Sequence, residues 1–207
     1  MRLLPLLFCF ACAEKSHTDT DSGTDSDTST TLDTSGTTGP TGETIVMETT
    51  SGVISIELDF EAAPITSNNF MDYVNSGFYD GGDGNGATLF HRVINDFMIQ
   101  GGGYTAAGTA KSTLSPIINE ASTSGLSNVR GTISMARTND PDSATSQFFI
   151  NHVDNTFLDA TGSDAGYAVF GLVTDGMDVV DTIASTPTNN SDKPFNDIVI
   201  LSVEVED

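Results

Sequence analysis

Basic side chains are scarce in this 207-residue chain: seven Lys and Arg stand against 29 Asp and Glu, a formal net charge of −22. A surface of that sign repels phosphate backbones and anionic headgroups, which argues against nucleic acid or a charged lipid face as partner. The imbalance is not confined to a tail, since residues 44–207 alone carry 22 acidic and five basic side chains, a net −17. Cysteine is scarcer still. The two present, Cys9 and Cys12, lie in the first dozen residues, so the rest of the chain has neither a disulfide framework nor thiolate chemistry. The apolar run of residues 1–12 is too short to span a bilayer. His17, His91 and His152 are scattered rather than clustered as metal ligands, and Ser143 and Ser146 have no histidine placed to activate them as nucleophiles. The glycine-rich stretch 80–86 does not end in Lys-Ser or Lys-Thr and is no phosphate-binding loop, and the Asp pairs 19/21 and 25/27 lack the glycine and terminal glutamate of a calcium-binding EF-hand.

What is present divides the chain in three. Residues 1–12 join one positive charge to an apolar stretch and read as an export signal. Cys12, preceded by Ala11 and followed at once by polar sequence, resembles the lipobox of bacterial lipoproteins, which implies lipidation of Cys12. Ala13 after that cysteine, rather than an aspartate, resembles a sorting signal for the outer membrane. Residues 13–43 are Ser, Thr, Asp and Gly with almost nothing apolar, a composition that cannot offset its ordering entropy by burial. As a flexible linker this segment would span roughly 30 Å. The expected third part, 44–207, is a single domain facing the periplasm or displayed on the surface, tied to a membrane only through its lipid and monomeric.

Within that domain, 44–49 and 53–58 alternate apolar and polar residues about a Thr-Ser-Gly turn and predict a hairpin. Pro64 suits a first helical position, and Ile65, Phe70, Tyr73 and Val74 share a helical face that should end near Gly77. Further strands are expected at 131–136, 146–151, 167–172 and 197–205, with a second short helix over 175–183. Many short strands and two helices argue for an antiparallel barrel or sandwich. In the loop 80–86, Asp80, Asp83 and Asn85 read as an acidic solvated turn, with a calcium site as the alternative.

The most informative stretch is 90–103, where Arg92 sits among apolar residues before the run Gly101-Gly102-Gly103. A strand places Arg92 with Ile94 on one side and Met98 with Gln100 on one side further along, so Arg92 and Gln100 are candidates for the border of one apolar cleft. His91 reads as a structural strand residue, and Phe90, Phe148 and Phe170 as core. Together Phe90-His91-Arg92-Val93-Ile94, Phe97-Met98-Ile99-Gln100-Gly101-Gly102, Ser134-Met135-Ala136, Ser146-Gln147-Phe148-Phe149-Ile150 and Val169-Phe170-Gly171 resemble, in order and spacing, the cyclophilin peptidyl-prolyl isomerases. The resemblance covers about residues 44–205, including Pro64, Asn69, Phe70 and Phe78-Tyr79-Asp80-Gly81.

That resemblance implies a mainly β fold, a closed eight-stranded antiparallel barrel capped by two helices, with a substrate groove on its outer surface. It implies peptidyl-prolyl isomerase activity on proline-containing segments of exported proteins, with no metal and no cofactor. Position by position it implies Arg92 as the catalytic arginine and Phe97, Met98, Phe149 and Leu158 as the proline pocket. Gln100 and Gln147 match the polar rim, and Ala136 and the Arg137 backbone the edge along which a peptide lies. Phe157 and Tyr167 also match groove positions, where many eukaryotic members carry tryptophan and histidine. A non-catalytic proline-peptide binding or adhesion lipoprotein is the alternative.

Overall fold

The computed structural model describes residues 42–206. The export signal, Cys12 and nearly all of the linker therefore lie outside the described residues. Thr44–Thr49 (β1) and Gly52–Leu58 (β2) form the expected hairpin, pairing Thr44 with Glu57 through Thr49 with Gly52. Their alternation sends Ile45, Met47, Ile54, Ile56 and Leu58 wholly inward. Helix α1 (Pro64–Asn75) starts on its proline as expected. No side chain of the adjacent turn caps it. The buried Glu120 instead accepts hydrogen bonds from the Ile65 and Thr66 amides at 3.1 and 2.8 Å and from the Thr66 hydroxyl at 2.6 Å, so a carboxylate distant in sequence satisfies the helix's free N–H groups.

Residues 90–103 are not one strand but a tight hairpin, Arg92–Ile94 (β3) and Met98–Gly101 (β4), because Asp96 takes a left-handed backbone (φ 57°) and reverses the chain. Thr132–Met135 (β5), Phe148–Asn151 (β6), Val169–Asp175 (β7) and Ile200–Val205 (β8) complete the strands. The expected strand at 167–172 thus runs later in the chain, while those at 146–151 and 197–205 are trimmed at their starts. Helix α2 (Met177–Ala184) enters from left-handed Gly176, where a Cβ would lie 2.3 Å from the Val53 carbonyl oxygen, so only glycine fits that approach.

All pairings are antiparallel, in the order β3-β4-β6-β5-β7-β2-β1-β8. The expected closure is only partial, and the sheet is a curled half-barrel. Between the end strands β3 and β8 runs no ladder but one bridge, Leu89 with Val199, secured by Phe90 N–H to Ile198 O (2.9 Å) and Ile200 N–H to Thr88 O (2.9 Å). The physical reason is that β3 is three residues long and its outer edge is taken by a loop, the Asp192 carbonyl accepting the Val93 N–H at 2.8 Å.

The core is aromatic where α1 lies on the sheet. Phe148 packs edge-on against Phe70, Tyr79 and Phe90 at centroid distances of 5.6, 5.5 and 5.9 Å, and Phe70 meets Phe170 at 5.3 Å. Phe90, Phe148 and Phe170 are core, as expected.

The loop 80–86 is not a free acidic turn. The Lys111 ammonium, with only 3% of its side chain exposed, lies 2.9 Å from Asp83 Oδ1 and donates to the Phe78 and Gly86 carbonyls at 2.5 and 2.8 Å. An internal cation thus occupies the Asp83 carboxylate. Burial alone would raise the Asp83 carboxyl, but hydrogen bonds from Asn85 and Lys111 outweigh it and hold it below its ordinary value. Replacing Lys111 by Met should lower stability by about 3 kcal/mol at neutral pH, because a carboxylate and two carbonyls lose their donor. The ionised Asp83 contributes fully above about pH 4, its unfolded value, and that contribution is lost as pH falls through its lowered folded value. Urea unfolding of both proteins should therefore show the gap narrowing below about pH 4.

Candidate active site

Strand alternation sorts β3, β4, β5 and β6 into two faces. Val93, Ile99, Ile150 and Ile133 lie in register across the four strands, and all four are buried in the core. The rows on either side, Arg92–Gln100–Phe149 and Ile94–Met98–Asn151, necessarily face the other way. That outer face carries a cavity of about 140 Å³ lined by Arg92, Phe97, Met98, Gln100, Ala136, Arg137, Phe149, Leu158 and Tyr167. Nine of the expected groove residues thus converge, from the β3–β4 hairpin, β6, the segment after β5, a 3-10 turn (Thr156–Leu158) and the approach to β7.

Gln147 lies just beyond, lining a second depression with Gln100, Ala136 and Arg137, and its Oε1 accepts from Gln100 Nε2 at 3.0 Å. The glycine run permits this: a Cβ on Gly103 would come within 2.6 Å of the Gln147 side chain. Phe157 does not line the cavity. Its ring is 72% exposed and stacks on Phe97 (5.8 Å, 20°) at the mouth. Phe149 is covered and sits at 5.7 Å from Tyr167, edge to face.

The two arginines of the groove differ in their freedom. Arg137 is engaged structurally, its guanidinium 4.5 Å over the Tyr167 ring, its Nε donating to Gly166 O at 2.9 Å and its Nη2 3.6 Å from Asp164. Among the described residues Arg92 has a single carboxylate neighbour, Asp192, whose Oδ2 is 3.5 Å from its Nε, and 43% of its side chain is exposed. A cation therefore stands at the mouth of an apolar pocket with donor capacity to spare.

Behind the pocket is a polar scaffold that sequence reasoning missed. Asn155 Nδ2 donates to the Phe97 carbonyl and to Asn151 Oδ1, both at 2.8 Å, and Asn151 donates to Thr132 Oγ1 at 2.9 Å. Asn128 accepts from Ser134 Oγ at 2.8 Å and donates from its Nδ2 to Asp159 Oδ1 at 2.9 Å. Burial pushes the Asp159 carboxyl up, but bonds from Ser127 and Asn128 prevail and bring it below its usual value. His152 binds the same hairpin, its backbone N–H reaching Phe97 O at 3.0 Å and its Nδ1 accepting the Asp96 N–H at 3.1 Å. The spacing Asn151-His152-Asn155 just after the Phe149 block was the available signal.

An eight-stranded antiparallel half-barrel with an arginine beside an apolar groove on its outer face defines a cyclophilin-like protein. The family described as Cyclophilin type peptidyl-prolyl cis-trans isomerase/CLD matches residues 44–205. A peptidyl-prolyl cis-trans isomerase of Acinetobacter baylyi is 52% identical over 166 residues, 78% of this chain and 85% of that protein. Peptidyl-prolyl cis-trans isomerase B of Escherichia coli is 48% identical over 170 residues, covering 79% of this chain and 99% of its own length. The crystal structure of a Cryptosporidium parvum cyclophilin type isomerase, in the presence of the dipeptide Ala-Pro, superposes with a TM-score of 0.62 at 27% identity, covering 79% of this chain and 99% of that one. This chain belongs to the cyclophilin-type peptidyl-prolyl cis-trans isomerases, and its activity is that of the family.

His91, immediately before β3, is half-buried with its ring 4.8 Å from that of Tyr104, and burial, aided by the Arg92 charge, lowers its pKa below the ordinary 6.5. The unfolded chain takes up the proton near 6.5 and the folded one resists it, so stability is whole above about pH 6.5 and declines as pH falls below it. His91→Gln should reduce the difference between melting temperatures at about pH 7 and pH 5, and NMR titration should place the folded His91 midpoint below about 6.5.

Proposed function

We propose that Arg92 is the catalytic residue and that the cavity beside it receives a proline ring, the observation carrying this being the placement of the Arg92 side chain and the Phe97, Met98 and Phe149 side chains around one 140 Å³ cavity. Rotation about an X-Pro bond faces a barrier of about 18–20 kcal/mol from amide resonance. No bond need break. In the twisted transition state the prolyl nitrogen regains its lone pair, and a guanidinium donor beside that nitrogen binds the twisted state better than the planar one. The Phe97, Met98, Phe149 and Leu158 side chains grip the ring while the preceding carbonyl turns. Gln100, Gln147, Ala136 and the Arg137 backbone border the groove as donors and acceptors for the flanking peptide, and Phe157 forms an exposed lip above Phe97.

The ligand class is a proline-containing peptide segment, consistent with the dipeptide Ala-Pro in the related crystal structure. We further propose that the substrates are exported proteins, and that lipidation of Cys12 anchors the enzyme in the cell envelope, with the outer membrane favoured by Ala13. The support is the pattern of residues 1–13 and the net charge of −22, which removes any electrostatic route to an anionic surface.

Arg92→Ala should lower kcat/KM by about 10²–10³ in an isomerase assay on a proline peptide, the effect of losing a transition-state donor, while peptide affinity and melting temperature stay near the parent's. Arg92→Lys should recover only part, because a point charge on a flexible stem does not reproduce a planar fork. An Arg92→Ala protein as fast as the parent would refute the assignment. Independently, Cys12→Ser should move the protein from the membrane to the soluble fraction, and unchanged fractionation removes the lipid-anchor proposal.

A further inference from the structure

Among the described residues only two that are not glycine adopt a left-handed backbone, Asp96 (φ 57°) and Asp192 (φ 59°). Such a conformation is disfavoured for residues bearing a Cβ, though least for Asn and Asp, and it persists where surrounding contacts hold it. Asp96 has its explanation in the chain reversal between β3 and β4. Asp192 lies far along the chain, in the connection between α2 and β8, yet it reaches Arg92.

The turn that presents Asp192 is bonded to itself. The Asp192 N–H donates to Asn189 O at 3.0 Å and the Asn189 N–H to Lys193 O at 2.9 Å, while Asn189 Oδ1 accepts from the Ser191 and Lys193 amides at 2.9 and 3.1 Å. Its base is closed by Phe195 N–H to Pro187 O at 3.1 Å. A turn built this way sets the position of Asp192 before any contact with the groove. From there Asp192 supplies two groups to β3. Its carbonyl takes the Val93 N–H, on the strand edge that lacks a partner strand, and its carboxylate Oδ2 stands 3.5 Å from Arg92 Nε. The two contacts fall on adjacent residues, so the backbone that carries Arg92 and the guanidinium at its tip are referred to the same aspartate.

We propose that Asp192 is a positioning residue: from the Nε side it holds the Arg92 guanidinium over the groove and leaves the terminal nitrogens for substrate. This rests on the reading of Arg92 as the catalytic donor. Two effects oppose one another here. A carboxylate beside the arginine narrows its rotamers, which aids a reaction that depends on placement, and it also offsets part of the positive charge, which would weaken the donor. Both side chains are 43% exposed, so water screens the charge offset, whereas the restriction on orientation does not need a low dielectric. Placement therefore prevails.

The test compares full-length parent, Asp192→Asn, Asp192→Gly and Arg92→Ala on an uncharged proline peptide, with kcat and KM measured across about 20–500 mM salt and melting temperature recorded for each. Asn and Gly both tolerate a left-handed backbone and both keep the carbonyl that Val93 needs, so the variants isolate the carboxylate. Each should lower kcat about two- to fivefold, the scale of a half-exposed ion pair, with KM little changed and melting no lower than the parent's. The parent's kcat should fall toward theirs as salt rises, while theirs stay flat. A parental kcat in both variants, a faster reaction, or a loss that follows lowered melting would each overturn the proposal. If Arg92→Ala is crippled while the Asp192 variants match the parent, only the positioning role fails; if Arg92→Ala matches the parent, the catalytic reading falls and this one with it.

Discussion

Phe148 meets Phe70, Tyr79 and Phe90 edge-on inside the curled sheet, and the rest of the site depends on that contact. Neighbouring residues of a strand point to opposite faces, so seating Phe148 in the core commits Phe149 to the groove. The same registration carries through the adjoining strands, where Ile150 and Ile99 lie inside while Gln100 and Arg92 are turned out. Slipping β6 by one residue would exchange the two phenylalanines and remove both core and pocket at once. Core packing and groove geometry are therefore one constraint.

The groove is stiff at its back and open at its front. Behind it, Asn155, Asn151, Asn128 and Asp159 satisfy one another and hold the Phe97 carbonyl, a buried polar network that is secure because its members find partners. In front, Phe157 is largely exposed and the Arg92 side chain partly so.

Scarcity of positive charge shapes the electrostatics. Each of the five basic side chains in 44–207 lies within 4.0 Å of an aspartate: Arg92 with Asp192, Lys111 with Asp83, Arg130 with Asp181, Arg137 with Asp164 and Lys193 with Asp197. Only the Lys111 pair is deeply buried, and it organises a loop rather than chemistry. The others are partly solvated and contribute modestly to stability, so their effect is mainly on where each side chain points. For Arg92 that distinction matters most, since an arginine's orientation rather than its charge alone decides what it can donate to.

Much of this was legible before any coordinates. The alternation of 44–58 and the proline opening α1 specify a small β domain, because period-two patterning and local turn chemistry act over a few residues, while the blocks around Arg92, Met98, Phe149 and Phe170 point to its groove through their resemblance to a family. Even there, the strand reading across 90–103 gives way to a hairpin, since the turn is made by Asn95-Asp96, whose tolerance of the left-handed region is a weaker signal than a glycine's. The partial closure of the barrel through the Leu89–Val199 bridge, the Glu120 cap on α1, the Lys111 ammonium inside the acidic loop and the placement of Asp192 beside Arg92 were decided only by tertiary structure. Each joins residues tens of positions apart, and such pairings depend on how the chain returns on itself in space. The sequence by itself determined, through strand alternation, that Arg92, Met98, Gln100 and Phe149 turn away from the core, whereas Phe97, Ala136, Arg137, Leu158 and Tyr167 lie outside the strands and were legible only through the family resemblance. Which partners hold those side chains in place was decided by packing at long range, where no periodicity of the chain reaches.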